Sequence, residues 1–265
     1  MQRCDAAVAR PCPPYRLPRK FCNHQKRRAS NVEAPINHTE NAMSYTLLIG
    51  NKNYSSWSLR PWLLLHAFGV PFVEERHVFD TPEFAAEIQS RKRSPNGKVP
   101  VLLDGEIAVW DSLAIAEYLA ERHAGMWPES AIARAHARSA CAEMHSGFQA
   151  VRNWMPMNVR RSYPIAIPRE DVQKDIDRLQ ALWTEARSKF GGAGPFLYGK
   201  FSVADAYFAP VVFRFNTYGV KLSAAVAEYV KAMLAHPSMQ QWIADSKAEK
   251  EVVDHEEPEH IYAAI

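Results

Sequence analysis

The sequence predicts an α/β domain with a mixed four-stranded sheet, followed by an all-α domain. Up to residue 123, short β-branched and apolar runs alternate with helical patterns in the order β-α-β-α-β-β-α. A crossover helix makes the first two strands parallel, and a tight turn makes the last two antiparallel. Beyond residue 130, apolar residues recur only at helical spacing. The 265 residues are enough to bury a substantial core.

The first half begins with a strand over residues 45–50. A polar turn and an apolar stripe then predict a helix that ends at Gly69. A second strand is expected over residues 72–78 and a short helix over residues 83–91. These elements account for the first parallel strand pair and its crossover.

The end of this half is the most informative stretch of the chain. Residues 99–103 predict a strand that an Asp-Gly hairpin turn joins to another, over residues 107–109. Asp111-Ser112 follows, and its side-chain oxygens can accept hydrogen bonds from the first free N–H groups of the next helix. The element order over residues 43–123 is that of a thioredoxin-like domain.

The second half is predicted to be helical throughout residues 130–265, after a linker over residues 124–129. One helix is expected over residues 132–154, and a regular apolar stripe places another over residues 172–190. A Ser-x-x-Asp capping box at residues 202–205 opens a further helix. Later helices are expected over residues 223–234 and 237–247, before an acidic tail that we expect to be mobile up to a packed end.

Residues 1–42 lack hydrophobic periodicity and contain five prolines, which predicts a disordered basic extension. With eight basic and three acidic residues its net charge is +5, so the remainder of the chain carries −2. Because Met43 directly precedes the first strand, we expect the natural chain to begin there. A basic targeting or binding tail is the alternative.

Composition excludes several classes of protein. A mildly acidic body gives no reason to expect a nucleic-acid partner, and the lack of an 18-residue apolar run argues against a membrane span. Three of the four cysteines lie in the first 22 residues, so we expect no disulfide framework and a cytoplasmic, reducing location. Cysteine and histidine spacing predicts no metal site, and Cys141 is expected to be a small core residue.

The strand at residues 99–103 is suited to bind a peptide through its main chain. Pro100 removes one ladder hydrogen bond, which leaves the N–H and C=O groups of Val99 free to face a cleft. An extended peptide could pair there as an added strand, with its carboxylate held by Ser112 and the positive end of the helix dipole.

This combination resembles the glutathione site of the cytosolic glutathione S-transferases, over about residues 44–260. In that family the proline is cis, the valine pairs with the cysteinyl backbone of glutathione, and the acid-serine dipeptide binds the γ-glutamyl end. The resemblance implies the glutathione S-transferase fold, with glutathione as co-substrate. It assigns glutathione binding to Lys98, Val99, Pro100, Asp111 and Ser112. The family more often has Glu or Gln before the serine, so aspartate shortens the reach to the ligand's amine.

The loop before the first helix is where a group that stabilises the glutathione thiolate must lie. A hydrogen-bond donor at the positive end of a helix lowers a thiol pKa from its usual value of about 8.5. Residues 53–60 resemble the serine-type signature of zeta- and tau-like transferases. Two alignments are possible, so the catalytic candidates are Ser55, then Ser56, then Asn53, with Tyr54 as a tyrosine-type alternative. Helix capping is the simpler role for either serine.

The second substrate is expected to be a small-molecule electrophile in a pocket completed by the helical domain. We assign the lining of this pocket to Tyr54, Trp57, Arg160 and Arg161. By resemblance, two arginines would suit a carboxylated substrate, as in maleylacetoacetate isomerase. A solvated loop is the alternative interpretation of this arginine pair.

The favoured function is therefore a glutathione S-transferase involved in detoxification, and the family implies a homodimer. A zeta-like glutathione-dependent cis-trans isomerase is the nearest alternative enzyme. A non-catalytic glutathione-binding or assembly module is an alternative of a different class. A glutathione-dependent disulfide reductase is disfavoured because residues 53–58 contain no cysteine.

Overall fold

A computed structural model describes residues 45–164 and 169–262. The basic extension predicted over residues 1–42, with its three cysteines, and the proposed start at Met43 lie outside the described residues. Cys141 is fully buried in the core, as predicted, and burial holds the pKa of its thiol well above the ordinary value. None of the described helices combines the length and the apolar character that a membrane span requires.

The sheet has four strands in the spatial order β2-β1-β3-β4. These strands are β1 (Tyr45–Ile49), β2 (Phe72–Arg76), β3 (Val101–Asp104) and β4 (Ile107–Trp110). The first two are parallel and the other pairings are antiparallel, so the predicted mixed sheet is confirmed. β2 ends two residues earlier than predicted, and a turn follows in which Asp80 has a φ of 59° and the hydroxyl of Thr81 donates to the carbonyl of Val78.

Three helical segments accompany the sheet: α1 (Ser56–Ala67), α2 (Pro82–Phe84) and α3 (Ser112–Arg122). α2 continues as a π-helical turn over Ala85–Gln89, so the regular helix predicted over residues 83–91 is wrong in type and length. The N–H of Ser90 donates to the carbonyl of Ala85 at 2.9 Å, and Arg91 then adopts a positive φ of 65° that ends the segment.

The second half is helical, as predicted. Its helices are α4 (Ala131–Ser146), α5 (Gln149–Trp154), α6 (Glu170–Ala186), α7 (Val203–Thr217), α8 (Ala224–Ala235), α9 (Pro237–Ala248) and α10 (Pro258–Tyr262). The single helix predicted over residues 132–154 is wrong, because Gly147 is extended and Phe148 has a φ of 61°. This break reorients α5 relative to α4.

α7 is the central helix and packs against α1, α4 and α8. Nearly all of its residues are buried, and its predicted capping box is present. Asp205 accepts hydrogen bonds from the N–H and hydroxyl of Ser202, both at 2.9 Å, and from the N–H of Leu197 at 3.0 Å. Because α1 belongs to the first half and α7 to the second, the two halves share one core and form the walls of a cleft.

The acidic tail that we expected to be mobile is instead bonded to the loop before α1. The carboxylate of Glu249 accepts from the N–H groups of Lys52 and Asn53, at 2.7 and 3.1 Å. Val253 donates its N–H to the hydroxyl of Tyr54. A single 3₁₀ turn over Asp254–Glu256 follows and brings the tail alongside the cleft.

Candidate functional site

The start of β3 places an unpaired piece of main chain at the cleft. The Val99–Pro100 peptide bond is cis, as the family resemblance implied, and the strand ladder begins only at Val101. Within residues 45–164 and 169–262, the N–H and C=O groups of Val99 form no hydrogen bond. This residue can therefore pair with an extended ligand.

The start of α3 forms the far end of the same cleft. Asp111, at φ 74°, caps the helix by accepting from the N–H groups of Leu113 and Ala114, at 2.8 and 3.4 Å. Its side chain thus caps the helix as the sequence predicted. Ser112 is 2% exposed and begins the helix, where the helix dipole favours an anion.

A hydrogen-bonded network that the sequence did not reveal supports these two residues. The hydroxyl of Tyr207 lies 3.1 Å from Ser112 Oγ and 2.6 Å from His145 Nδ1. His145 Nε2 lies 3.3 Å from the carboxylate of Asp111. An Nε2–H directed at Asp111 leaves Nδ1 to accept the tyrosine proton, so Tyr207 accepts from Ser112. Helices α4 and α7 thereby fix both ends of the Asp-Ser dipeptide.

Two adjoining cavities make up the cleft. The narrower one, of about 320 Å³, contains the predicted glutathione-binding residues. Its lining is Trp57, Asn96, Lys98, Val99, Pro100, Asp111, Ser112 and His145. The wider one, of about 620 Å³, shares Trp57, Lys98 and Val99 with it and extends between Ser56 and the helical half. The cleft is therefore continuous from α3 to the start of α1.

The two serines at the start of α1 differ in what their hydroxyls contact. Ser55 is the N-cap, and its hydroxyl donates to Ser58 Oγ at 2.7 Å. Ser56 is the first helical residue and is 7% exposed in the wider cavity. No side-chain hydrogen bond engages the Ser56 hydroxyl in the described part of the chain. Its proton is therefore available to a ligand.

The hydrogen bonds of Asn53 and Tyr54 go to the second half and the tail, which argues against the catalytic roles considered for them. The amide of Asn53 is fully buried, donating to Asn158 at 3.0 Å and accepting from the N–H of Arg160 at 2.9 Å. Asn53 lines neither cavity of the cleft. Tyr54 lines the wider cavity, but its hydroxyl donates to Glu257 and burial raises its pKa. Both side chains are therefore engaged by partners in the second half and the tail.

The predicted pair Arg160 and Arg161 does not line the wider cavity, whereas two other arginines do. Arg160 donates to the carbonyls of Glu249 and Glu251, and the exposed Arg161 pairs with Glu259, so both bind the tail. Arg152 and Arg214 line the wider cavity instead. Arg214 was detectable as the only cation in the apolar sequence of α7.

Other features of the structure lie outside this cleft. A cavity of about 680 Å³ in the helical half is lined by Trp127, Phe190 and Tyr198 and contains none of the predicted site residues. No group of three or more His, Cys, Asp or Glu side chains is arranged to hold a metal ion in residues 45–164 and 169–262.

Comparisons with known proteins agree with this architecture. Family models for the N-terminal and C-terminal domains of glutathione S-transferase match residues 54–122 and 167–245. The chain is 24% identical to a stringent starvation protein A homologue of Haemophilus ducreyi over 73% of this chain and 86% of that protein. It is 26% identical to a probable maleylacetoacetate isomerase of Caenorhabditis elegans, over 64% and 81%.

Solved structures show the same fold. A glutathione transferase homologue from Burkholderia, crystallised with bound glutathione, superposes with a TM-score of 0.60 at 22% identity. The match covers 78% of this chain and all of that one. Both domain families, in the expected order, thus account for the sheet, the helical half and the cleft between them. The chain belongs to the glutathione S-transferase family.

Proposed function

We propose that this protein is a glutathione transferase that binds glutathione in the narrower cavity and presents its thiolate to an electrophile in the wider one. One observation carries the proposal: the unpaired main chain of Val99 lies between the capped start of α3 and the free hydroxyl of Ser56. A peptide that spans these points has its acidic end and its thiol at opposite ends of the cleft.

Each part of the tripeptide has a suitable partner. The cysteinyl main chain pairs with Val99, and the γ-glutamyl carboxylate accepts from Ser112 at the positive end of α3. Asp111 faces the γ-glutamyl amine with the oxygen that does not cap the helix. Lys98, which is exposed and lines both cavities, suits the glycyl carboxylate.

Thiolate stabilisation falls to Ser56 in this arrangement. A thiol reacts through its thiolate, and a hydrogen bond from a hydroxyl at a helix N-terminus favours that form. Ser55 is the second candidate because its proton is committed to Ser58. The reaction forms a carbon–sulfur bond to the electrophile and releases its leaving group, while the thiol proton passes to solvent.

Two other functions receive specific support. The relative from Caenorhabditis elegans named as a probable isomerase favours glutathione-dependent cis-trans isomerisation, in which glutathione adds and then leaves. The stringent starvation protein A relative is not named for a reaction, which favours a glutathione-binding module. Both alternatives use the same glutathione site.

The test combines binding with turnover. Purified protein is applied to glutathione-agarose and then assayed for conjugation of 1-chloro-2,4-dinitrobenzene, alongside Ser56→Ala and the distant N-cap variant Ser130→Ala. We expect retention by all three and a loss of turnover only in Ser56→Ala. Retention without turnover of this or any related electrophile favours the binding module, and failure of the native protein to bind glutathione contradicts the proposal.

A further inference from the structure

Three arginines converge behind the wider cavity. Arg60 in α1 is fully buried, Arg214 in α7 is 5% exposed, and Arg152 in α5 is half-buried. The guanidinium carbons of Arg60 and Arg152 lie 4.2 and 4.6 Å from the ring centre of Trp57, so both contact the same indole. Since Arg152 and Arg214 line the cavity, the cluster forms part of its wall.

The positive charge of this cluster has no matching carboxylate. Among the residues that the structure describes, none of the three arginines has an Asp or Glu oxygen within 4 Å. Arg152 and Arg214 donate to main-chain carbonyls. In the described part of the chain, both terminal nitrogens of Arg60 lack a hydrogen-bond acceptor. Carbonyl oxygens solvate a guanidinium group but do not neutralise it, so the buried Arg60 and Arg214 and the half-buried Arg152 have no directly paired carboxylate.

The described acids around the cluster form no ion pair with it. Asp175 accepts from the N–H of Val151, beside Arg152. Glu256 lines the cavity from the tail, and its carboxylate forms no ion pair with Arg214 within 4 Å. Burial raises the pKa of Glu256, while Arg214 lowers it. Burial also lowers the pKa of Arg60 to about 9 and of Arg214 to about 10, and the neighbouring arginines add to this effect. The cavity thus has a cationic wall, and the carboxylates of Glu256 and Asp80 belong to the rest of its lining.

The geometry points to an electrophile that carries a carboxylate, held by Arg152 and Arg214 while its reactive carbon faces Ser56. This inference rests on the proposed function and names the substrate class of the same site. Glu256 and Asp80, which also line the cavity, oppose the incoming anion and so limit the strength of the preference. Trp57, which is shared by both cavities, offers its ring to the body of the substrate. Arg60, which lies behind the indole, supports the cluster without contacting the substrate.

The test compares two chlorodinitrobenzene electrophiles with the same leaving group, 1-chloro-2,4-dinitrobenzene and 4-chloro-3,5-dinitrobenzoate. In both, the glutathione sulfur bonds to the ring carbon, the carbon–chlorine bond breaks and chloride leaves. Each kcat/KM is divided by the uncatalysed rate constant for the same electrophile, and the ratio of the two values is the charge preference. We expect the native protein to favour the benzoate at least tenfold.

Variants separate charge recognition from folding and from activation of the thiol. Arg152→Gln should lower the charge preference about tenfold, mainly through KM for the benzoate, and Glu256→Gln should raise it several-fold. Arg214→Lys should retain part of the preference, because it keeps the charge but loses the planar fork. Arg138→Gln, at an exposed ion pair on α4, should change nothing. An equal loss with both electrophiles would mean that the arginines act on the thiolate, and the inference would be wrong.

A binding measurement covers the case in which the native protein turns over neither electrophile. Calorimetry compares the affinities of the two glutathione conjugates, which differ by one carboxylate and one position of the nitro pattern. Tighter binding of the carboxylated conjugate, lost in Arg152→Gln, supports the inference even though the proposed function has then failed. Equal affinity for both conjugates, or turnover without any preference for the benzoate, overturns it.

Discussion

Replacing Ser112 by alanine isolates one contact to glutathione with little effect on the fold. The N–H groups of Leu113 and Ala114 are already capped by Asp111, so the Ser112 hydroxyl is not needed to begin α3. Among the described residues, the Ser112 hydroxyl forms one hydrogen bond, to the Tyr207 hydroxyl at 3.1 Å. In the variant, His145 still forms a hydrogen bond with Tyr207. In the proposed complex the Ser112 hydroxyl therefore exchanges its bond to Tyr207 for one to the ligand's carboxylate.

The expected loss follows from an unmade hydrogen bond to a charged group in a buried position. Such a contact contributes about 1 to 3 kcal/mol, so the Kd for glutathione should rise about fivefold to 150-fold in Ser112→Ala. Isothermal titration calorimetry measures this change directly, and thermal unfolding checks that the variant is folded. Tyr207→Phe should change the Kd less, because it leaves the Ser112 hydroxyl in place.

Ser130→Ala provides the matched control. Ser130 caps α4 with its hydroxyl, 3.5 Å from the N–H of Ala133, and lies outside both cavities of the cleft. It should leave the Kd for glutathione unchanged. A folded Ser112→Ala variant with the affinity of the parent protein would refute the placement of the γ-glutamyl carboxylate at α3.

Three further predictions concern the thiol, a buried acid and the tail. Ser56→Ala should lower kcat/KM for 1-chloro-2,4-dinitrobenzene about tenfold to a hundredfold and shift its pH profile to higher pH. Ser55→Ala should cause a smaller loss, and equal losses in the two variants would contradict the assignment of thiolate stabilisation to Ser56. Burial raises the pKa of Asp205 from 3.8 to about 6. Between about pH 4 and pH 6 the folded state therefore holds a proton that the unfolded chain releases. The stability that this proton contributes is lost as the pH rises through that range. Denaturant unfolding should therefore show the difference between native protein and Asp205→Asn changing by up to about 3 kcal/mol over that range, and a pH-independent difference would contradict it. Tyr54→Phe should lower the free energy of unfolding by about 1 to 3 kcal/mol, because Arg160, Val253 and Glu257 lose their shared hydroxyl. Proteolysis of the tail should also accelerate. An unchanged rate of proteolysis would be inconsistent with the observed bonding of the tail.

The parts of the fold that depend on local chemistry were predictable from the sequence. The Asp-Gly hairpin, the cap at Asp111 and the box at Ser202 each require only side chains close in sequence, and all three are present. The break between α4 and α5 was not predictable in this way. A Cβ on Gly147 would lie 2.9 Å from the carbonyl of Glu143, so this glycine reflects a close approach that apolar spacing does not reveal.

The candidate site likewise contains residues that the local sequence predicts and residues that only the fold brings together. Val99, Pro100 and Ser112 form a motif that is contiguous within each segment, and the structure brings them to one cavity. His145 lines that cavity from α4, and the buried Tyr207 contacts Ser112 and His145 from α7, so only the tertiary fold shows their roles. Arg160 and Arg161 are adjacent in the sequence, which suggested a shared role, but both instead bind residues of the tail.

The placement of glutathione is tested most directly by a crystal structure of the complex. We expect the cysteinyl main chain to pair with Val99, the γ-glutamyl carboxylate to lie at Ser112, and the sulfur to lie within hydrogen-bonding distance of Ser56 Oγ. Glutathione bound outside this cleft, or bound within it with its sulfur directed away from the start of α1, would contradict the proposed mechanism.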